Sequence, residues 1–197
     1  THKTSSAASD VYKRQLLNND ADVNRATNGG YTPMHVACKL GHVNMIRMLL
    51  EHCANINMAN EDGFTPLHIA CRKGHINVVR LLLDNGVEID QKNKLGCTPL
   101  WIACNNSHYN IAQRLIKKGA DVNCGDQYRC TSLYTVCSNG YVDLAQLLLK
   151  NGANVNTAVS EGPYTGQTPL YVACKFGHVD MVSCLLYTSP SPRDETK

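Results

Sequence analysis

Apolar residues recur at helical spacing in several short stretches of the chain. In HINVVRLLLDN, residues 75–85, the valines and leucines fall three and four positions apart. Side chains at this spacing share one side of an α-helix, so the stretch predicts an amphipathic helix. Comparable stretches end at Asn85-Gly86, Lys118-Gly119 and Asn151-Gly152. Glycine after a helix accepts the positive φ of a C-terminal cap, so each pair marks a helix end.

A second, shorter helix is predicted before each amphipathic helix, and it starts at a Thr-Pro pair. The threonine side chain can cap the helix, and proline suits the first helical position, where its missing N–H costs nothing. We expect these helices to begin at Pro33, Pro66, Pro99 and Pro169. The glycines at Gly41 and Gly74 are expected to end the first two.

The helix pairs belong to a repeat. Its threonines, Thr32, Thr65, Thr98, Thr131 and Thr168, are separated by 33 residues three times and then by 37. The units read YTPMHVACKLGH, FTPLHIACRKGH, CTPLWIACNNSH, CTSLYTVCSNGY and QTPLYVACKFGH.

These residues resemble the ankyrin repeat, whose T-P-L-H-x-A signature and 33-residue period they match. The resemblance implies an all-α repeat fold, an ankyrin-repeat solenoid of helix-turn-helix units joined by β-hairpin loops. We expect a partial repeat at 16–24 and repeats near 25–57, 58–90, 91–123, 124–156 and 157–186. A single unit cannot bury its apolar face, so neighbouring units stabilise each other.

The fourth unit departs most from the pattern. Arg129 replaces a glycine, Ser132 replaces the proline, and Val136 replaces an alanine, while Ser107 replaces the inter-helix glycine of the third unit. We expect the fold to persist and the local stability to be lower around residues 105–140.

The two ends have a different character from the repeats. Residues 5–15 and 184–194 resemble translated sequencing-library adaptors, so we interpret 1–15 and 187–197 as non-native tails flanking a piece of a longer reading frame. Natural disordered tails rich in Ser and Pro are the alternative. Leu185 and Leu186 fall by chance where the array places Leu148 and Leu149, so the last helix is expected to continue into adaptor-like residues.

Charge and hydropathy exclude some classes of partner. The chain has 19 Lys and Arg against 16 Asp and Glu, and the adaptor-like ends hold five of the former and three of the latter. The remainder is nearly neutral, so we expect no nucleic-acid partner. No stretch is apolar enough for a transmembrane segment.

Ten cysteines raise the question of disulfides or metal. Five share one position of the first helix: Cys38, Cys71, Cys104, Cys137 and Cys174. Small apolar side chains suit close helix packing, so we expect these to be buried reduced thiols and Cys97 and Cys130 to be reactive. Disulfides and metal binding are the alternatives, although the sequence has no C-x-x-C pair. Many unpaired thiols favour an intracellular location, cytoplasmic or nuclear.

The histidines also follow the repeat. His35 and His68 occupy the T-P-L-H position, and His42, His75, His108 and His178 follow the inter-helix glycine or serine. In the family such histidines resemble structural groups that tie one repeat to the next. No nucleotide-binding motif is present. We expect no enzyme activity, no cofactor and no small-molecule ligand.

The resemblance places partner binding in a concave groove lined by hairpin tips and the ends of the first helices. Carried onto this chain, the groove takes Tyr31, Lys39, Leu40, Glu61, Asp62, Phe64, Arg72, Lys73, Lys94, Leu95, Asn105, Asn106, Gln127, Tyr128, Ser138, Asn139, Glu161, Tyr164, Lys175 and Phe176. Asn28, Cys97, Cys130 and Gln167 are expected beside them.

The connection before the fifth unit, NTAVSEGPYTGQ at residues 156–167, holds four residues more than its counterparts. It is either a tolerated surface insertion or a projecting finger that presents Tyr164 and Glu161 to a partner alongside Tyr128 and Lys175.

The sequence therefore predicts a non-catalytic module that binds an unidentified partner protein. The alternative is a substrate-recruiting ankyrin domain of a larger enzyme or channel, such as a kinase, a ubiquitin ligase or a poly-ADP-ribosylating protein. Fold alone does not choose between them.

Overall fold

The computed structural model describes residues 21–187, which form ten α-helices in five consecutive pairs. The first helices of the pairs are α1 (Pro33–Leu40), α3 (Pro66–Lys73), α5 (Pro99–Asn105), α7 (Ser132–Asn139) and α9 (Pro169–Lys175). The second helices are α2 (Val43–Glu51), α4 (Ile76–Asp84), α6 (Tyr109–Lys117), α8 (Val142–Lys150) and α10 (Val179–Leu186). The adaptor-like residues 1–15 and 188–197, and residues 16–20 of the partial repeat, lie outside the described residues.

The first helices begin where the Thr-Pro pairs predict. Each repeat threonine is in an extended conformation, and its hydroxyl oxygen accepts the backbone N–H of the third helical residue. Gly41 and Gly74 end α1 and α3 with φ of 76° and 77°. The last helix extends to Leu186, which confirms the prediction for Leu185 and Leu186.

The stack of repeats curves because its two layers pack differently. Successive first helices lie close together, whereas successive second helices approach each other less closely. The stack is therefore concave on the side of the first helices, which we call the inner helices, and the second helices are the outer helices. Alanine and cysteine fill the contacts between inner helices, as Ala70 and Cys71 do with no exposed surface.

The T-P-L-H histidines link neighbouring repeats, as expected. In α1 the Nδ1 atom of His35 accepts the N–H of Thr32 at 3.1 Å, which leaves the proton on Nε2. That Nε2–H donates to the carbonyl oxygen of Phe64 in the next repeat at 3.0 Å. The same link recurs with other donors: His68 to the Cys97 carbonyl at 3.0 Å, Trp101 Nε1–H to the Cys130 carbonyl at 3.0 Å, and the Tyr134 hydroxyl to Gln167 Oε1 at 3.1 Å.

The histidines after the inner helices link repeats in the opposite direction. The Nε2–H of His75 donates to the Lys39 carbonyl at 3.1 Å, and His178 donates to the Ser138 carbonyl at 3.1 Å. Each ring also lies against the preceding repeat's glycine. A Cβ added to Gly74 would stand 2.8 Å from the ring of His108, so glycine is required there by space as well as by its positive φ.

A third link joins the segments that follow the outer helices. In each case the side-chain oxygen of an Asn or Asp accepts a backbone N–H of the next repeat. The pairs are Asn24 with Asn55 at 2.7 Å, Asn57 with Glu88 at 2.9 Å, Asp90 with Asp121 at 3.1 Å, and Asn123 with Asn154 at 2.8 Å. These links hold successive repeats in a fixed register.

Two residues that replace repeat glycines, one in the third repeat and one in the fourth, keep the left-handed backbone conformation of glycine. Ser107 has φ of 58° and Arg129 has φ of 63°. A side chain in this left-handed region costs of order 1 kcal/mol, which is consistent with the lower local stability expected around residues 105–140. The lower stability itself remains a prediction.

The expected burial or exposure is confirmed for four cysteines and wrong for three. Cys38, Cys71, Cys104 and Cys137 are fully buried. Cys174, at the same repeat position, is exposed, because no described helix packs on the side that the next inner helix covers elsewhere. Cys97 and Cys130 are buried, with 4% and 7% of their surface exposed, because their short side chains end beneath the stacked hairpins.

We expect brief alkylation of the native protein to modify only the accessible thiols, Cys53, Cys174, Cys124 and Cys184. Burial raises the pKa of Cys104, Cys137 and Cys97 to about 12, and that of Cys130 to about 11, so these thiols are protonated as well as shielded. Peptide mapping by mass spectrometry after a short pulse reads the modification. Labelling of Cys104 as fast as Cys53 would contradict its burial, and a pulse in urea should label all ten cysteines.

The buried His68 should make stability depend on pH. Burial lowers its pKa to about 4, below the ordinary histidine value of 6.5, so the stability it contributes is present above pH 6.5 and is lost as pH falls toward 4. The loss amounts to about 3 kcal/mol at pH 4. The unfolding free energy is measured by urea denaturation at pH 7 and at pH 4. We expect His68→Gln to reduce the difference between the two values by the contribution of His68. Trp101→His, which places a histidine at the matching position of the third repeat, should add to it, and equal pH dependence in all three proteins would refute the assignment.

Candidate functional site

The residues predicted for the groove lie at the surface of the concave side. Tyr31, Phe64 and Ser138 are half-buried, and the remaining members of the predicted set are exposed. We expected Cys97 and Cys130 beside the predicted groove residues, but both are buried and do not belong to the concave face. The concave face is thus formed by the C-terminal ends of the inner helices and the tips of the hairpins.

The hairpin tips are held by their own side chains. In the second repeat, the Oδ1 atom of Asn60 accepts the N–H groups of Asp62 at 3.1 Å and Phe64 at 2.8 Å. Asn93 and Asp126 make equivalent pairs of bonds in the next two repeats. Regular strands do not form within residues 21–187, where Gly125 and Thr131 make an isolated β-bridge.

The tips are also bonded to one another along the stack. The backbone N–H of one tip donates to the carbonyl of the tip before it: Glu61 to Gly29 at 3.2 Å, Lys94 to Asp62 at 3.0 Å, Gln127 to Leu95 at 2.9 Å, and Ser160 to Tyr128 at 3.0 Å. Five tips therefore form one hydrogen-bonded row, in which the spacing between exposed side chains is fixed.

Aromatic and basic side chains meet at the edge of the second repeat. The ring of Phe64 packs edge-on against His68, with centroids 5.8 Å apart. The guanidinium of Arg72 lies over the same ring, 5.1 Å from its centroid. A cation in this position gains electrostatic energy from the ring, which favours this orientation of Arg72. The sequence did not predict this pair, because the hairpin must lean over the inner helix to bring the two residues together.

The longer fifth hairpin is closed in the same way as the shorter ones. The N–H of Val159 donates to the Gln167 carbonyl at 3.0 Å, and the N–H of Gly166 returns to Val159 at 2.8 Å. The extra residues between them form a 3₁₀ turn, Gly162–Tyr164. The insertion therefore folds on itself, rather than extending as a loose loop.

The inserted turn packs on the preceding repeat. A Cβ at Gly162 would lie 3.0 Å from the ring of Tyr128, which shows how closely the turn approaches that ring. On its other side, the ammonium of Lys175 lies 5.9 Å from the Tyr164 ring centroid and 5.7 Å from that of Phe176. The predicted grouping of Tyr164 with Tyr128 and Lys175 is thus present as one surface cluster. Glu161 is exposed at its edge.

A recess beside the fourth hairpin was not predicted from the sequence. Lys92, Asp121, Cys124, Asp126 and Arg129 contribute to its lining. Its polar groups pair with each other: the Lys92 ammonium donates to the Gly125 carbonyl at 3.4 Å, and the Cys124 thiol donates to Asp121 at 3.4 Å. The recess is lined by two cations, Lys92 and Arg129, and two carboxylates, Asp121 and Asp126. It therefore favours neither anionic nor cationic ligands.

The described inner helices contain two buried histidines, and both have structural partners. No three His, Cys, Asp or Glu side chains within the described part of the chain are arranged to hold a metal ion. The buried His35 and His68 are held neutral by burial, which lowers the pKa of both. Both rings already use their two nitrogens in structural bonds.

Comparison with protein-family models gives matches over most of the chain. A model of three ankyrin repeats matches residues 6–93 and again residues 86–159, and a model of many ankyrin repeats matches residues 133–186. None of the curated proteins compared with the chain matches it. Within residues 21–187, no helix has the length and apolar character needed to cross a membrane.

Shortening the fifth hairpin should leave the fold intact. We expect replacement of residues 160–165 by the Glu-Asp pair of the second tip to shift the thermal midpoint by less than about 3 °C, or roughly 1 kcal/mol. The reason is that the insertion contacts only surface groups, while Val159 and Gln167 close the hairpin at either length. Melting followed by circular dichroism measures the shift. A much larger loss would show that the insertion belongs to the core.

Proposed function

This chain belongs to the ankyrin repeat family, and we propose that it binds a partner protein through its concave face. Ankyrin repeats are generally non-catalytic modules of protein interaction. The contact surface that we propose for this chain consists of the inner-helix ends and the hairpin tips described above.

One observation carries the proposal. The cysteine position buried between the inner helices keeps one residue type, whereas the exposed position next to it on the concave face differs from repeat to repeat. Buried cysteine, for example, recurs in the inner helices at Cys38, Cys71, Cys104 and Cys137. The next position holds Lys39, Arg72, Asn105, Ser138 and Lys175. Residues that vary while the scaffold stays constant are those free to match a partner.

The rigidity of the face supports binding as well. The row of bonded tips and the links between repeats fix the backbone that carries the exposed side chains before a partner arrives. Binding therefore costs little conformational entropy, which leaves more of the contact energy for affinity. Exposed aromatic residues such as Tyr128, Tyr164 and Phe176 are the type that often dominates such contacts.

We further propose that the chain works inside the cell and without catalysis of its own. All ten cysteines are free thiols in the structure, and this state persists in reducing compartments. His35, His68, His75 and His178 serve as links between repeats. We propose no nucleic-acid partner, since the full chain has a formal charge of only +3.

The test compares two matched pairs of substitutions. Asn106→Arg with Asn139→Arg places bulky charges in the middle of the concave face, and Asn77→Arg with Asn110→Arg places them on the outer helices. Proteins captured from a lysate of the source cells are quantified by mass spectrometry for each variant. We expect the concave pair to reduce capture of the partner by about tenfold and the outer pair to leave it unchanged. A partner lost only with the outer pair would place the contact surface elsewhere.

A further inference from the structure

We propose that the occupant of the concave face is an extended peptide segment of the partner that carries acidic residues at two places about eight residues apart. This inference rests on the proposed function and specifies the chemistry of the partner.

The inner helices carry charge of one sign. Their sequences contain Lys39, Arg72, Lys73 and Lys175 and no Asp or Glu. The outer helices carry both signs, with Glu51, Asp84, Asp143 and Asp180 among their lysines and arginines. The positive charge of the helices is therefore segregated to the concave side, although the whole chain is close to neutral. A surface of this kind favours an anionic partner.

A structural role at the helix ends does not explain these cations. Lysine and arginine often neutralise the last carbonyl groups of a helix. Here, however, the carbonyls of Lys39 and Arg72 accept hydrogen bonds from His75 and His108 of the following repeats, at 3.1 and 3.4 Å. The third and fourth inner helices, moreover, have only neutral residues at the same positions: Asn105, Asn106, Ser138 and Asn139.

Arg72 and Lys175 each contact an aromatic ring but pair with no carboxylate within the described residues. Within residues 21–187, the ion pairs involve Asp84, which meets Arg114 and Lys118 on the outer side. Arg72 is instead braced by the ring of Phe64, and Lys175 by those of Tyr164 and Phe176. Positioned cations without a counter-ion can bind a carboxylate without first breaking an existing pair.

The spacing of the cations sets the length of the ligand. Arg72 and Lys73 lie in the second repeat and Lys175 in the fifth, three steps of inner-helix packing away. Helices in contact are 8–10 Å apart, so the two charged places are separated by about 27 Å. An extended chain rises about 3.3 Å per residue, so roughly eight residues span the distance. Between them, the amides of Asn105, Asn106 and Asn139 can bond to the peptide backbone.

The tips on the opposite side of the groove carry charge of both signs. The tips carry Glu61 and Asp62 in the second repeat, Lys94 in the third and Glu161 in the fifth. Because this row holds three carboxylates and one ammonium, it favours basic or neutral side chains on the edge of a bound peptide that faces the tips. The acidic character of the peptide instead follows from the inner-helix cations of the second and fifth repeats, Arg72, Lys73 and Lys175.

The experiment selects ligands without assuming them. Random 16-residue peptides displayed on phage are selected on the full chain at physiological ionic strength, and the enriched sequences are determined. The strongest peptide is then synthesised, and its affinity is measured by fluorescence anisotropy. The variants are Arg72→Glu with Lys73→Glu, Lys175→Glu alone, and the outer-face control Lys150→Glu, which is exposed in α8.

We expect enriched peptides to carry two acidic positions separated by roughly eight residues. Each reversal on the concave face should weaken binding by about tenfold, whereas Lys150→Glu should change it less than about twofold. Replacing the peptide's acidic residues at one place by Gln should weaken binding to the native chain but not to the variant reversed at that place. Circular dichroism confirms that each variant is folded.

The alternative outcomes separate this inference from the proposed function. Enriched peptides that lack paired acidic positions, but lose affinity on Asn106→Arg with Asn139→Arg, would overturn the inference and leave the proposed function standing. If the enriched peptides bind all the concave-face variants with unchanged affinity, both the inference and the proposed function are contradicted. If no peptide is enriched, the concave face does not hold an extended segment and the inference fails, while capture from lysate still decides the proposed function.

Discussion

The close packing of inner helix on inner helix is the constraint on which the rest of the structure depends. A repeat of two short helices cannot enclose a core, so its apolar surface is buried only when the next repeat covers it. The inner helices approach closely enough that Ala70 and Cys71 fill the contact. Every polar group trapped at such a junction needs a partner across it. The links from His35 and His68 to carbonyl groups of the next repeat satisfy that need.

Departures from the repeat are paired across these junctions. Gly74 makes room for the ring of His108, and Gly140 for that of His178. Where Ser107 takes the place of the glycine, the residue at the histidine position of the next repeat is Tyr141. The two changes occur at opposing positions of one junction, as expected if a side chain on the first repeat excludes the histidine ring of the second.

The fourth hairpin shows a similar pairing. A Cβ at Gly96 would lie 2.5 Å from the backbone nitrogen of Gln127, so glycine lets successive tips approach closely. Arg129 carries a side chain at that position, and the hairpin that follows it is the one with four additional residues. The insertion also has Val159 where Asn93 and Asp126 hold the other tips. Its 3₁₀ turn replaces the side-chain bonds that valine cannot make.

The sequence predicted what depends on local chemistry and missed what depends on neighbours. The Thr-Pro pairs located the helix starts, because capping involves residues three positions apart. The exposure of Cys174 was missed because its burial elsewhere comes from the following inner helix. The burial of Cys97 was missed because Tyr31 and Phe64, at the same position, are long enough to reach the surface and cysteine is not. The contact of Arg72 with Phe64 depends on how the hairpin leans, which spacing does not encode.

The hydrogen bond between neighbouring inner helices is kept even where the residue that donates it changes. His35, His68, Trp101 and Tyr134 differ in size and chemistry, yet each donates one hydrogen bond to the next repeat at 3.0 or 3.1 Å. The scaffold selects for that donor and tolerates several residues that supply it. On the concave face no shared bond limits the choice at the position of Lys39 and Asn105, because their side chains point away from the junction. Differences among the inner-helix links therefore carry no information about a partner, whereas differences along the concave face do.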